Sequence, residues 1–138
     1  MIVADSSYVV DALLSGQADF GKEPTIVPDL AVYEVVNAIY VREKVLGKLD
    51  HGLAYLEAFF EILDSSLLEV VGSTWDLMSE AYEIGSRQGA ATYDCVFVAL
   101  ALRTGSQLLT RDRRQLTIME KEVARRREGS HNDESWRD

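Results

Sequence analysis

Four short apolar runs, "MIVA", "PTIVP", "LLEVVG" and "QLLT", are separated by segments whose apolar residues recur at helical spacing. That alternation is the tightest constraint on the chain. Short strands alternating with helices join in parallel because each is reached by a crossover, and such a sheet is covered on both faces. The expected fold is α/β, in three layers, with a central short parallel sheet of four or five strands flanked by helices.

The helix boundaries follow from capping residues. Ser6 or Ser7 is placed to cap "SSYVVDALLSG", which Gly16 closes, and Asp29 to cap "LAVYEVVNAIYVREKVLG", which Gly47 closes. Asp50 opens "HGLAYLEAFFEILDSS", Ser73 or Thr74 caps "WDLMSEAYEIGSRQG", and Thr92 or a neighbour begins "YDCVFVALALRTG". From Glu128 the sequence "EGSHNDESWRD" has no apolar period. A domain over 1–127 followed by a flexible charged tail over 128–138 is therefore expected. A chain of 138 residues suits one such domain.

No apolar run approaches the roughly 18 residues of a membrane span, and "MIVADSS" lacks the basic start and apolar core of a secretory signal, so a cytoplasmic protein without membrane contact is expected. The lone Cys95, followed by Val96, Phe97 and Val98, has no disulfide partner and reads as a buried structural thiol. A net charge of -9 opposes blanket attraction to nucleic acid. The charge is uneven, however: Arg111, Arg113, Arg114, Lys121, Arg125, Arg126 and Arg127 crowd the C-terminal third.

Sites in open parallel sheets form beyond the carboxyl ends of strands. Asp5 directly follows "MIVA", Asp29 follows "TIVP", and Asp112 lies one residue beyond "QLLT". Asp94 falls in the first turn of its helix, and Glu34 shares a helix face with Asn37, about 60° away around the axis. Each acid has a plain structural reading. Asp29 is assigned to capping alone, Asp5 could cap the first helix, Asp94 could complement a helix dipole, and Asp112 could sit in a polar turn. Glu34 is harder to dismiss, because its neighbours Val35, Val36, Ile39 and Tyr40 are mostly apolar. If Asp5, Glu34, Asp94 and Asp112 converge, their charges repel unless protonated or neutralised by a cation. An all-oxygen set selects a hard ion, Mg²⁺ or Mn²⁺.

These residues resemble a known family. Asp5-Ser6-Ser7 after the first strand, Glu34 and Asn37 in "EVVN", "YDCVFVALA" around Asp94, and "LLTRD" ending at Asp112 are similar, in order, to the motifs of PIN-domain nucleases, and most of all to VapC-type toxins of toxin-antitoxin pairs. The likeness runs over about residues 1 to 116. It implies a PIN-like fold and a Mg²⁺- or Mn²⁺-dependent endoribonuclease acting on single-stranded RNA. The acidic ligands would be Asp5, Glu34, Asp94 and Asp112, supported by Ser6, Asn37 and Thr110. It also implies a small antitoxin protein as partner and a homodimer. The family commonly finishes with another short strand, whereas "QLTIMEKEVARRREGS" reads here as a charged helix.

Metal-bound water needs no histidine base, which suits a chain whose His51 and His131 fall at a helix start and in the tail. Arg111, Arg113 and Arg114 are candidate RNA-phosphate contacts, with a solvated basic turn as the alternative. Three other readings compete: a nuclease of RNA processing or repair, a catalytically inactive PIN-like binding module, and a receiver or phosphohydrolase domain. The last would want an acid where Ser7 stands. Neither "GxxxxGK[ST]" nor "GxGxxG" occurs, so nucleotide-cofactor readings lack support.

Overall fold

The computed structural model describes residues 1–16 and 22–135. Its strands are β1 (Ile2–Ala4), β2 (Thr25–Pro28), β3 (Leu68–Val71) and β4 (Gln107–Leu109). Its helices are α1 (Ser6–Ser15), α2 (Leu30–Tyr40), α3 (Gly52–Asp64), α4 (Trp75–Gln88), α5 (Thr92–Thr104) and α6 (Arg113–Ser135). The strands pair in parallel in the order β3-β2-β1-β4. Each strand falls on one of the four apolar runs.

The chain steps from β1 to β2 to β3 in one direction, then returns past β1 to β4. Right-handed crossovers therefore send α1–α3 to one face and α4–α5 to the other. The packing agrees: α1, α2 and α3 touch one another, while α5 packs on α4 and α6 and lies over β1, β2 and β4. Cys95–Ala101 of α5 are all buried, as befits a helix apolar all round, and Cys95 is a buried free thiol. Because the strand order reverses at β1, the cleft beyond β1 and β4 is the place where such a sheet opens a site. The register Ala4↔Leu109, extended by the bond from Asp5 N to Leu109 O (2.8 Å), sets Asp5 beside Thr110 there.

Several caps differ from expectation. α1 is capped by Asp5, whose carboxylate accepts from Ser7 N, and not by Ser6 or Ser7. Asp29 precedes α2 but already has helical φ and ψ (-58°, -28°), so its side chain cannot turn back to cap. Its carboxylate instead accepts from Ser73 N and Ser73 Oγ, across to the end of β3. α3 starts after His51, which adopts a left-handed φ of 62°, and not at Asp50. Thr74 does cap α4, accepting from Leu77 N. α2 runs into a π-helical turn at Val41–Val45 before Gly47 turns the chain.

The turn from α4 into α5 determines where Asp94 lies. Gly89 closes α4 at φ 61°, and Ala90 N bonds back to Gly85 O (3.1 Å). A Cβ on Gly85 would stand 2.9 Å from Ala90 O, so only glycine allows this approach. At the C-terminal end the segment after Asp112 is a helix, as its charge pattern predicts, and its backbone stays helical past Glu128 to Ser135. Residues 136–138 of the expected tail lie outside the described residues. Among the described residues no helix is long and apolar enough to cross a membrane.

Candidate active site

Asp5, Glu34, Asp94 and Asp112, carried by β1–α1, α2, α5 and β4–α6, line one open cleft of about 420 Å³. Ser6, Ser7, Val10, Ala38, Arg42 and Arg111 complete its walls. The three aspartates all stand at helix N-termini. Asp5 caps α1, Asp94 is in the first turn of α5, and Asp112 accepts from Arg114 N (2.8 Å) at the start of α6. The structural readings of these acids and their meeting in one cleft thus hold together.

Asp5 is the most tightly held. Its Oδ2 accepts from Ser7 Oγ (2.6 Å), Ser7 N (3.3 Å) and Thr110 Oγ1 (3.2 Å), and its Oδ1 accepts from Gln115 Nε2 (3.2 Å). Thr110 Oγ1 also accepts from Asp112 N (3.0 Å), so one hydroxyl ties two of the acids together. Gln115 Nε2 reaches Asp94 O as well (3.3 Å), linking β1 to the first turn of α5. Ser6 Oγ donates to Glu34 Oε1 (2.8 Å).

Burial raises the pKa of Glu34; the Ser6 bond lowers it, and the charges of Asp5 and Asp94 raise it further. Asp94 is likewise raised, first by burial and then by Asp112 and Asp5, against a smaller lowering by Arg114. Helix N-termini relieve part of this, each being worth about 0.3–1 kcal/mol to a carboxylate.

A pH dependence follows from the sign of these shifts. An acid whose folded pKa lies above its unfolded value destabilises the native state at neutral pH. Stability then rises as pH falls through the folded pKa toward the unfolded one, because the native state binds the proton more tightly. Without metal, Asp94→Asn is expected to melt above wild type at pH 7 and to show a weaker stability gain between pH 7 and about 4, the ordinary aspartate value. Differential scanning fluorimetry in EDTA tests this. A variant that melts lower at neutral pH would leave Asp94 as a helix-dipole complement only.

The donor set, four carboxylates and no sulfur or imidazole, fits a hard divalent cation. The side chains are spread around the cleft: among the described residues no three acidic, histidine or cysteine groups are close enough to hold an ion as they stand.

Of the supporting residues expected from the sequence, Ser6 and Thr110 bond to the acids, whereas Asn37 is exposed and outside the cleft lining. The cleft follows the i, i+4, i+8 line Glu34, Ala38 and Arg42 instead. Arg111 lines the cleft and is paired with Asp11 (2.5 Å). Arg113 and Arg114 line a neighbouring groove. Ser7, Arg42 and Gln115 join the site without having been expected there. The helical spacing of Arg42 from Glu34 is a signal that could have found it; Gln115 offers no local signal.

The fold has known counterparts. Ribonuclease VapC3 of Pyrobaculum aerophilum is 33% identical over 86 residues, which are 62% of this chain and 63% of that protein. The chain thus spans less than two thirds of that relative. The crystal structure of PAE2754 from Pyrobaculum aerophilum superposes with a TM-score of 0.67 at 22% identity, covering 90% of this chain and 93% of that one. VapC20 of Mycobacterium tuberculosis, a sarcin-ricin loop cleaving toxin, gives 0.68 at 18% identity over 85% and 94%. DNA-bound VapBC from Salmonella typhimurium gives 0.59 at 17% identity over 84% and 89%. At these identities the structures speak for the fold alone. The family model of the PIN domain matches residues 2–121, nearly the whole described chain, and the protein belongs to the PIN domain family.

Proposed function

We propose that the chain is a metal-dependent endoribonuclease that cleaves single-stranded RNA, the toxin of a toxin-antitoxin pair. The observation that carries this reading is the meeting of Asp5, Glu34, Asp94 and Asp112, from four separate elements, in one cleft at the strand ends of a PIN domain. PIN nucleases generally use divalent metal ions, and Mg²⁺ or Mn²⁺ suits these oxygens. The ribonuclease named among its relatives and the toxin among its structural neighbours support the activity. The VapBC neighbour supports an antitoxin as partner. A cytoplasmic location and a homodimer belong to the same reading.

The four carboxylates would hold the cation. When bound, it polarises the scissile phosphate and makes water at the site more acidic. Ser7, Thr110 and Gln115 hold Asp5 in one orientation, so little freedom is lost when it binds. Glu34 gives Oε1 to Ser6 and keeps Oε2 for a ligand. Burial and the charges of Asp5 and Asp94 hold its pKa above the ordinary glutamate value despite the Ser6 bond. Arg42 and Arg111 in the same walls offer positive charge to an RNA phosphate.

The purified chain is expected to cut labelled single-stranded RNA in Mg²⁺ or Mn²⁺ and to stop on addition of EDTA. Cleavage that survives EDTA would remove the metal from the mechanism. RNA binding without cleavage in either ion would make the chain an inactive PIN-like binding module. Cleavage by a chain with no antitoxin partner in its host would make it an RNA-processing or repair nuclease.

A further inference from the structure

A second cleft, about 570 Å³, shares Asp94 with the acidic one. One wall is the α4–α5 turn from Gln88 to Ala91, and the other is the start of α6, which contributes Arg113, Arg114, Thr117 and Lys121. Among the residues lining it, Asp94 is the one acid beside three cations. The sign of the lining therefore reverses across Asp94.

Several of the other cations are engaged in ion pairs. Arg87 is bound to Glu122, Arg103 and Arg126 to Glu80, and Arg111 to Asp11. Among the described residues Arg113, Arg114 and Lys121 make no such salt bridge, and all three are exposed. In a chain of net charge -9, unpaired cations gathered in a concave site attract a polyanion locally although the molecule as a whole does not. Arg114 and Lys121 are about 10 Å apart along the axis of α6, which leaves room for separate phosphates of one strand.

We propose that this groove is a phosphate-binding subsite that seats the RNA strand on one side of the bond to be cut, with Arg113, Arg114 and Lys121 on backbone phosphates. The proposal takes its ligand from the ribonuclease reading, and its test separates the two. Affinity of the 138-residue chain for a short fluorescein-labelled oligouridylate is measured by anisotropy in EDTA across a range of KCl.

Combining Arg113→Gln with Lys121→Gln is expected to reduce the slope of log Kd against log salt by about 1.4, roughly 0.7 for each single-strand phosphate no longer neutralised. Combining Arg103→Gln with Arg126→Gln removes the same formal charge from ion-paired positions and is expected to leave the slope at the wild-type value. Charge reversal at Arg113 and Lys121 to Glu should weaken binding further, with circular dichroism confirming that these surface variants fold. Equal slopes in the two double variants, or a wild-type slope in Arg113→Gln with Lys121→Gln, overturn the groove. RNA cut normally with that result leaves the nuclease reading standing alone. Groove-dependent binding without cleavage in Mg²⁺ or Mn²⁺ supports the groove and removes the nuclease.

Discussion

Asp94→Asn is expected to lower cleavage of single-stranded RNA by more than about 100-fold, beyond the loss usual when only a group behind the metal ligands is changed. Asparagine keeps the shape of the side chain and removes the charge that a hard cation needs. Asp5→Asn and Asp112→Asn are expected to behave alike, and because asparagine caps helices as well as aspartate does, α1 and α6 keep their starts. Asp29→Asn is the control. Its carboxylate is engaged with Ser73 and is absent from the cleft lining, so activity should stay near wild type. Initial rates with a labelled oligonucleotide decide the matter, and a dead Asp29 variant beside an active Asp94 variant would refute the assignment.

The second large effect is on stability. Glu122 of α6 is fully buried and accepts from Arg87 Nη2 (2.6 Å) and Gln88 Nε2 (2.8 Å) at the end of α4. Burial pushes its pKa up, but the bonds from Arg87 and Gln88 and the nearby positive charge outweigh this, and the net shift is downward. Glu122→Ala is expected to cost about 3 kcal/mol at pH 7, the low end for breaking a buried pair because the Arg87 side chain is 31% exposed and can turn to water. For a chain of this size that is a fall in Tm of roughly 10 °C. A depressed carboxylate pKa stabilises above the unfolded value and loses that contribution as pH falls through the folded one, so the gap between variant and wild type should narrow in acid. Thermal melts at pH 7 and pH 4 test both statements. A gap that is small at pH 7, or that widens in acid, would mean the pair is not stabilising.

The four strands were legible because short, mostly apolar runs recur between helical segments; β2 is buried along its whole length, whereas the edge strand β3 exposes Glu69 and Val70. Asp5 and Asp112 could be placed near one cleft because they follow strand ends, where such a sheet opens, whereas Glu34 and Asp94 reach it from helices. Local features failed wherever a partner distant in sequence decided the outcome. Asp29 stands in a capping position, yet Ser73, brought close by β2–β3 pairing, takes its carboxylate. Asn37 and Ala38 are both near neighbours of Glu34 on α2, and only the packing of α2 against α1 selects the line through Ala38. The inner face of α6 was hidden most completely. Its buried residues Gln115, Ile118 and Glu122 recur at helical spacing, but two of the three are polar, so no apolar period reveals them. Their burial is possible because Asp5, Arg87 and Gln88 supply partners from elsewhere in the chain.

Asp5 and Asp112 each begin a helix as well as line the cleft, which bears on how such a chain changes over evolutionary time. The codons for aspartate and asparagine differ by a single nucleotide, and the replacement preserves a helix start while discharging the cleft. On the proposed nuclease reading, a lineage can thus lose catalysis in one step while keeping both helix starts. The return path is equally short, so silent and active descendants of one fold can interconvert under changing selection.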